Sequence, residues 1–265
     1  MIEAAIFVWR HIAQSLQGPS HVADGTVCQD SNVVRLFGDG DNTTLVACVT
    51  DGAGSARFSD SGSSIICQTI MENAASFFEA GGRVEDLRFE AALRWCEEAR
   101  NRIGEEAAAR ECTTREFATT LCAVIASPAY SVFFQIGDGA IILGNNGIYG
   151  VVFWPQSGEY ANSTNFLTAD DFEQKLEFFT TPTCSAEIAL FTDGLERLAL
   201  RFDTQTPHAP FFAPLFRALR SSDDLDGLSE GLHHFLASDS VQARSDDDKT
   251  LILASRKTDD SDHAA

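Results

Sequence analysis

Hydrophobic positions along the chain form many short strand-like runs that are interrupted by two blocks of helical periodicity. Residues 59–79 and 86–110 repeat apolar side chains every three or four positions, which predicts two long amphipathic helices. Residues 211–220 and 225–237 predict two shorter helices. Runs of β-branched and aromatic residues between turn signals predict strands. These predicted strands cover residues 6–14, 33–37, 44–50, 118–126, 130–136, 140–143, 148–153, 187–192 and 250–254.

The order of these elements is strands, two long helices, several strands, two helices and one closing strand. Helices gathered into blocks, without regular alternation of strand and helix, predict an α+β fold with antiparallel sheets. Residues 155–183 are weakly patterned and rich in Ser, Thr, Asn and acids, which predicts a flap or insertion. We expect one domain over residues 1–255 and a flexible tail over residues 256–265.

The chain is strongly acidic, with a net charge of −20 and a pI near 4.5. This charge argues against nucleic acid or an anionic membrane as the main partner. Seven cysteines without a CxxC pair predict reduced thiols and a cytoplasmic location. We also expect no membrane span, because each apolar run is too short for one.

Aspartates recur at the ends of the apolar runs. Asp51, Asp138 and Asp193 each follow such a run and precede a glycine, whereas Asp247 precedes the last strand. A single Asp-Gly pair is typical of a turn, but the repetition favours a shared site. Converging carboxylates repel one another unless a cation such as Mg²⁺ or Mn²⁺ neutralises them. Two such ions can activate a water, which predicts phosphoester hydrolysis without a covalent enzyme intermediate.

Six short segments occur in the order and approximate spacing of one known family. They are CQDS, VTDGAGS, FATTLCAVI, FFQIGDG, ALFTDGL and DDDKTLIL. Over residues 18–254 the chain resembles the metal-dependent protein phosphatases, the PPM or type-2C serine/threonine phosphatases, and its N-terminal segment resembles a bacterial branch. The resemblance implies a four-layer αββα sandwich, in which two antiparallel sheets are flanked by helix pairs. It also implies hydrolysis of phosphoserine and phosphothreonine in proteins by a two-metal-activated water.

The resemblance further implies the metal ligands. Asp51 would bridge two ions, Mn²⁺ or Mg²⁺, and the carbonyl of Gly52 would bind one of them. Asp193 and Asp247 would complete the first metal site. Asp51, Asp193 and Asp247 are therefore the expected catalytic residues.

Two more acids match the family at the edge of this site. Asp138 would hold a third, weaker ion, and Asp30 would act near the second ion through a water. Family members often have Glu before the acid that matches Asp30, whereas this chain has Gln29. The expected partner is a phosphorylated protein, either a serine/threonine kinase or its target.

Two other features of the family are missing. The arginine that grips the substrate phosphate aligns near Gly25, and the histidine proposed to protonate the leaving group is Ala53. His21 or Arg57 are the candidates to replace the arginine. The alternative hypothesis is a weak or inactive phosphatase-like module that binds a phosphorylated partner, and these departures favour it. The intact set of aspartates favours the enzyme.

Overall fold

Two five-stranded antiparallel sheets form the centre of the protein in the computed structural model, which describes residues 7–157 and 164–258. The strands are β1 (Phe7–Leu16), β2 (Ser31–Phe37), β3 (Thr44–Thr50), β4 (Leu121–Ala126), β5 (Ser131–Ile136), β6 (Ala140–Asn145), β7 (Ile148–Val151), β8 (Glu177–Thr181), β9 (Glu187–Phe191), β10 (Leu200–Arg201), β11 (Thr206–Pro207) and β12 (Lys249–Thr258). The helices are α1 (Pro19–Asp24), α2 (Ser59–Glu79), α3 (Phe89–Ala109), α4 (Phe172–Lys175), α5 (Glu196–Ala199), α6 (Ala209–Ser221), α7 (Leu225–Leu236) and α8 (Asp239–Gln242).

The first sheet has the strand order β2-β3-β4-β5-β8, and the second has the order β1-β12-β9-β6-β7. Strands β10 and β11 form a separate short ribbon. Every pairing between the described strands is antiparallel, as the block order of helices and strands predicts.

Alternating side chains of β3 show how the layers are built. Leu45, Ala47 and Val49 pack between the two sheets, whereas Val46 and Cys48 pack against α2 and α3. All seven residues of β3 are buried because both faces of the strand are covered. A continuous apolar run without polar alternation is the sequence signature of such a strand.

The second sheet is covered on its outer face by α6 and α7. Phe191 and Leu253 of the sheet share an apolar cluster with Phe212 of α6 and Leu232 of α7. The four layers are therefore helices, sheet, sheet and helices, which confirms the predicted αββα sandwich. Within residues 7–157 and 164–258, no helix combines the length and the apolar character that crossing a membrane requires.

The segment predicted as a flap is partly integral to the fold. Leu167 and Phe172 are buried, and β8 pairs with β5 at the edge of the first sheet. Strand β8 carries polar residues and none of its five residues is fully buried, so it lacks the continuous apolar run that marks the central strands. Residues 158–163, in the middle of the predicted flap, lie outside the described residues.

The last strand is longer than the sequence predicts. Strand β12 continues to Thr258, which pairs with Phe7, so residues 256–258 belong to the sheet and not to a tail. The pairing of β12 with β9 ends at Ser255, the amide of Arg256 donates to the carbonyl of Ala186 just before β9, and residues 257–258 pair with β1. Polar residues such as Arg256 are tolerated there, which explains why the sequence suggests a tail. Residues 259–265 lie outside the described residues.

Helix α2 approaches the turn before β4 very closely at Gly62. A Cβ atom at this position would lie 2.2 Å from the carbonyl oxygen of Phe117. Glycine is required because any side chain would push the turn away from the helix. The same turn leads into Thr119 and Thr120, which lie beside the strand-end aspartates.

We expect Gly62→Ala to lower the free energy of unfolding by at least about 2 kcal/mol, because the added methyl group collides with backbone. Gly104→Ala is the matched control, since Gly104 also lies inside a long helix but has open space around its Cα. That change should raise the free energy of unfolding by about 0.5–1 kcal/mol. Urea denaturation of both variants measures the difference, and equal effects would contradict the close approach.

Candidate metal centre

Three strand-end aspartates from different parts of the chain meet in one cavity. Asp51 follows β3, Asp138 lies in the turn between β5 and β6, and Asp193 follows β9. One carboxylate oxygen of each lies within 4.8 Å of the other two. Asp247, just before β12, lines the same cavity, which has a volume of about 350 Å³. The structure therefore brings together Asp51, Asp138, Asp193 and Asp247.

The backbone at Asp51 is held by two threonines of the segment before β4. The hydroxyl of Thr120 accepts a hydrogen bond from the amide of Asp51 at 3.0 Å. The hydroxyl of Thr119 and the amide of Thr120 both donate to the Asp51 carbonyl, at 2.8 and 2.9 Å. These three bonds fix the backbone from which the Asp51 side chain extends.

Gly52 brings two backbone segments together. A Cβ atom there would lie 2.7 Å from the Gln29 carbonyl oxygen and 2.8 Å from Cβ of Ser59. Only glycine allows this approach. This close approach places the segment that carries Gln29 and Asp30 next to Gly52, which lines the cavity.

Asp138 occupies a tight turn whose shape depends on the predicted flap. Gly137 has a φ of 106°, which favours glycine, and its amide donates to the side-chain oxygen of Gln156 at 2.9 Å. The hydroxyl of Thr164 donates to Asp138 Oδ2. Gln156 and Thr164 are supporting residues that the sequence reading did not identify, because neither belongs to an apolar run or a motif.

Burial makes these carboxylates difficult to ionise without a counterion. It raises the pKa of Asp193 to about 7, and the nearby charges of Asp138 and Asp247 act in the same direction. It also raises the pKa of Asp51 well above the ordinary value, with further repulsion from Asp30, Asp193 and Asp138. A divalent cation removes this repulsion by binding the ionised forms.

Unpaired oxygens show where a cation fits. Oδ1 of Asp30, Asp138 and Asp193 are buried and have no hydrogen-bond partner among the described residues. A buried carboxylate oxygen without a partner is costly, unless an ion binds it. The donor set consists of carboxylate and carbonyl oxygens, which suits Mg²⁺ and Mn²⁺ better than softer metals.

Asp30 lies beside the cavity and does not line it. The hydroxyl of Thr192 donates to Asp30 Oδ2 at 2.8 Å. Burial raises the pKa of Asp30 to about 8, although the hydrogen bonds from Thr250 and Thr192 oppose the shift. Its position is suited to an indirect contact with an ion.

Asp248 is a buried residue with a structural role that the sequence reading missed. Its side chain is 2% exposed and accepts hydrogen bonds from the amides of Gly18 at 2.7 Å and Gln29 at 2.5 Å. His21 Nδ1 lies 2.9 Å from Asp248 Oδ1. This carboxylate therefore joins the start of β12 to the segment that carries Asp30. The sequence feature that could have indicated burial of Asp248 is its position directly before the apolar strand that begins at Lys249 and Thr250.

Neither candidate for a phosphate-gripping cation reaches the cavity. His21 contacts Asp248, and the guanidinium carbon of Arg57 lies 4.8 Å from the ring centroid of Phe58. Among the described residues that line the cavity there is no Lys, Arg or His. No described basic side chain of the cavity wall is therefore in place to contact a bound phosphate.

Comparison with known proteins agrees with this geometry. Residues 17–237 match the family model described as protein phosphatase 2C. The chain is 36% identical over 251 residues to serine/threonine-protein phosphatase 3 of Escherichia coli strain K12, covering 93% of this chain and 98% of the relative. The chain belongs to the protein phosphatase 2C family.

Solved structures share the fold of this phosphatase. PppA of Pseudomonas aeruginosa superposes with a TM-score of 0.61 at 17% identity, covering 96% of this chain and 100% of PppA. The catalytic domain of the phosphatase PstP, solved with two manganese ions, gives a TM-score of 0.59 at 14% identity, covering 95% and 99% of the two chains. Family membership confirms the predicted class, a metal-dependent protein phosphatase.

The buried carboxylates predict how the stability of the metal-free phosphatase depends on pH. The folded-state pKa of Asp193, about 7, lies above the ordinary 3.8, so the unfolded chain loses this proton first as the pH rises. The free energy of unfolding therefore falls between these two pKa values. Thermal unfolding in EDTA at about pH 5 and about pH 8 measures this fall, which excess Mn²⁺ should reduce.

Asp193→Asn removes one of the titrating groups from this centre. We expect it to raise the free energy of unfolding of the metal-free chain at high pH by about 1–3 kcal/mol. Asp203→Asn, on an exposed loop, is the control and should change nothing. A metal-free Asp193→Asn chain with the pH profile of the native chain would show that repulsion at this site is unimportant.

Removal of the Asp248 carboxylate should destabilise the fold. Asp248→Ala leaves the amides of Gly18 and Gln29 without an acceptor, which we expect to lower the free energy of unfolding by about 2–4 kcal/mol. Asp246→Ala is the matched control, since Asp246 is exposed and its bonds to Ser20 use the backbone carbonyl. Denaturant titration of both variants in EDTA separates this effect from metal binding.

Proposed function

We propose that this phosphatase hydrolyses phosphoserine and phosphothreonine esters in proteins, with Mn²⁺ or Mg²⁺ held by Asp51, Asp193 and Asp247. The observation that carries the proposal is that Asp51, Asp138 and Asp193 place carboxylate oxygens within 4.8 Å of one another, in a cavity that Asp247 also lines. One buried oxygen of Asp138 and one of Asp193 have no hydrogen-bond partner among the described residues. The 36% identical relative, which is named a serine/threonine-protein phosphatase, supports the substrate class.

The remaining ligand roles form part of the same proposal. The Gly52 carbonyl would bind one ion beside Asp51, and Asp138 would hold a third ion. Asp30 would act through a water, because it lies beside the cavity and its Oδ1 has no protein partner. Bound ions would supply a water of lowered pKa and neutralise the charge of the phosphate.

The protein's own contribution is to orient these ligands and to keep the site buried. Thr119 and Thr120 fix the backbone of Asp51, while Thr192 fixes the carboxylate of Asp30. Correct geometry of the ligands matters because metal catalysis depends on fixed coordination. Since the described lining has no basic residue, the ions themselves must balance the charge of the phosphate.

The proposed partner is a phosphorylated protein, either a serine/threonine kinase or its target. A cytoplasmic location is part of the proposal. It is supported by the cysteines, all seven of which are free thiols in the described structure. Persistent thiols are typical of a reducing compartment.

Hydrolysis of p-nitrophenyl phosphate and of a phosphothreonine peptide, with Mn²⁺, with Mg²⁺ and with EDTA, tests the function. We expect metal-dependent turnover that EDTA abolishes. Asp51→Asn, Asp193→Asn and Asp247→Asn should each lower kcat by at least about 100-fold, since even residues that only support a metal ligand cost 10- to 100-fold. Calorimetric titration with Mn²⁺ should show weaker binding in the same variants.

Asp203→Asn serves as the control and should retain the turnover of the native chain. A folded native chain that binds the phosphopeptide but hydrolyses neither substrate with either metal would refute the enzyme. That result would favour the phosphatase-like binding module.

A further inference from the structure

A second cavity adjoins the metal centre and is lined by aromatic as well as acidic residues. It has a volume of about 390 Å³ and shares Asp138, Asp193 and Thr164 with the metal cavity. Trp154, Gln156, Glu196 and Phe202 line this second cavity but not the metal cavity. We call the part of the cavity that these four residues form the side pocket.

An aromatic pair forms one wall of the side pocket. The ring centroids of Trp154 and Phe202 lie 5.4 Å apart at an angle of 82°. Phe202 remains 51% exposed and belongs to the turn between β10 and β11. A large aromatic side chain that is held in place and still faces solvent offers a ready contact surface for a ligand.

Glu196 places a carboxylate in the same pocket. It is the first residue of α5 and is half-buried, and burial raises its pKa, with a further contribution from Asp138. Its carboxylate has no hydrogen bond and no ion pair with another described residue, although Arg197 attracts it at longer range. A partly desolvated carboxylate of this kind favours an incoming cation.

We propose that the side pocket binds the cationic side chain of a Lys or Arg residue that flanks the phosphorylated residue of the substrate. This proposal rests on the proposed function, because the phosphoryl group must lie at the metal centre next door. The aromatic pair would contact the cation through a ring face and the aliphatic stem by packing, while Glu196 would form the ion pair. The phosphatase would therefore prefer basic phosphopeptides.

Charge favours this occupant over the other classes of side chain. Bound ions would neutralise Asp138 and Asp193, whereas Glu196 is not a proposed metal ligand. The carboxylate of Glu196 would repel an acidic side chain, and a purely apolar side chain would cover this half-buried carboxylate without offering it a partner. The net charge of −20 also attracts basic peptides at long range.

Two phosphothreonine peptides test the proposal, one with arginines on both sides of the phosphothreonine and one with alanines there. With Mn²⁺, we expect the native phosphatase to have a kcat/KM about 5- to 30-fold higher for the arginine peptide. Glu196→Gln and Phe202→Ala should each reduce this ratio several-fold, mainly through KM for the arginine peptide.

Matched variants separate the side pocket from general effects. Phe179→Ala removes a similarly exposed ring from β8. Glu230→Gln removes a charge from α7, where the side chain of Glu230 is 77% exposed. Both should keep the ratio of the native chain. A ratio near one in the native chain would overturn the proposal. An equal loss of the ratio in Glu196→Gln and Glu230→Gln would also overturn it, because it would assign the preference to long-range charge.

Turnover of p-nitrophenyl phosphate, which has no flanking residues, reports the proposed function separately. If the native chain with Mn²⁺ hydrolyses none of the three substrates, the proposed function fails, and fluorescence anisotropy of the two labelled peptides then tests the side pocket alone. Tighter binding of the arginine peptide that is lost in Glu196→Gln supports the pocket. Equal binding of the two peptides overturns it.

Discussion

Repulsion among buried carboxylates is the constraint on which the rest of this structure depends. Asp51, Asp138 and Asp193 lie within 4.8 Å of one another, where water cannot fully solvate them. The packed layers and a set of hydrogen bonds hold these carboxylates together, although their repulsion favours separation. The fold therefore holds a destabilising group of charges together, and either protons or bound cations relieve the repulsion.

The hydrogen bonds that maintain this arrangement come mainly from threonines and from one additional aspartate. Thr119 and Thr120 hold the Asp51 backbone, and Thr192 links Asp30 to the strand that precedes Asp193. Asp248 joins the Gln29 segment to the start of β12. Each of these bonds connects a residue near the metal centre to a strand of the packed core, so the rigidity of the sheets is passed on to the ligands.

Apolar periodicity predicted the parts of the fold that are covered on both sides. The predicted boundaries of β3 and α2 agree with the structure, because continuous burial and helical spacing leave clear signals. Strand β8 was missed because it is only partly buried and carries polar residues, and the end of β12 was missed because Arg256 and Lys257 end its apolar run. At the site, motifs identified the acids that line the cavity, but the distinction between Asp247 and Asp248 depends on which way neighbouring side chains point. Three consecutive acids do not reveal this.

The pairing of β1 with β12 has a consequence for folding during translation. These strands come from opposite ends of the described chain, and their ten paired positions run from Leu16 with Lys249 to Phe7 with Thr258. During synthesis the second sheet cannot close until β12 has left the ribosome, because β12 lies between β1 and β9. Asp247 and Asp248 directly precede β12 and so emerge together with it. A nascent chain therefore holds an incomplete metal centre until β12 has emerged, and all four carboxylates line the cavity only when β12 has joined the second sheet.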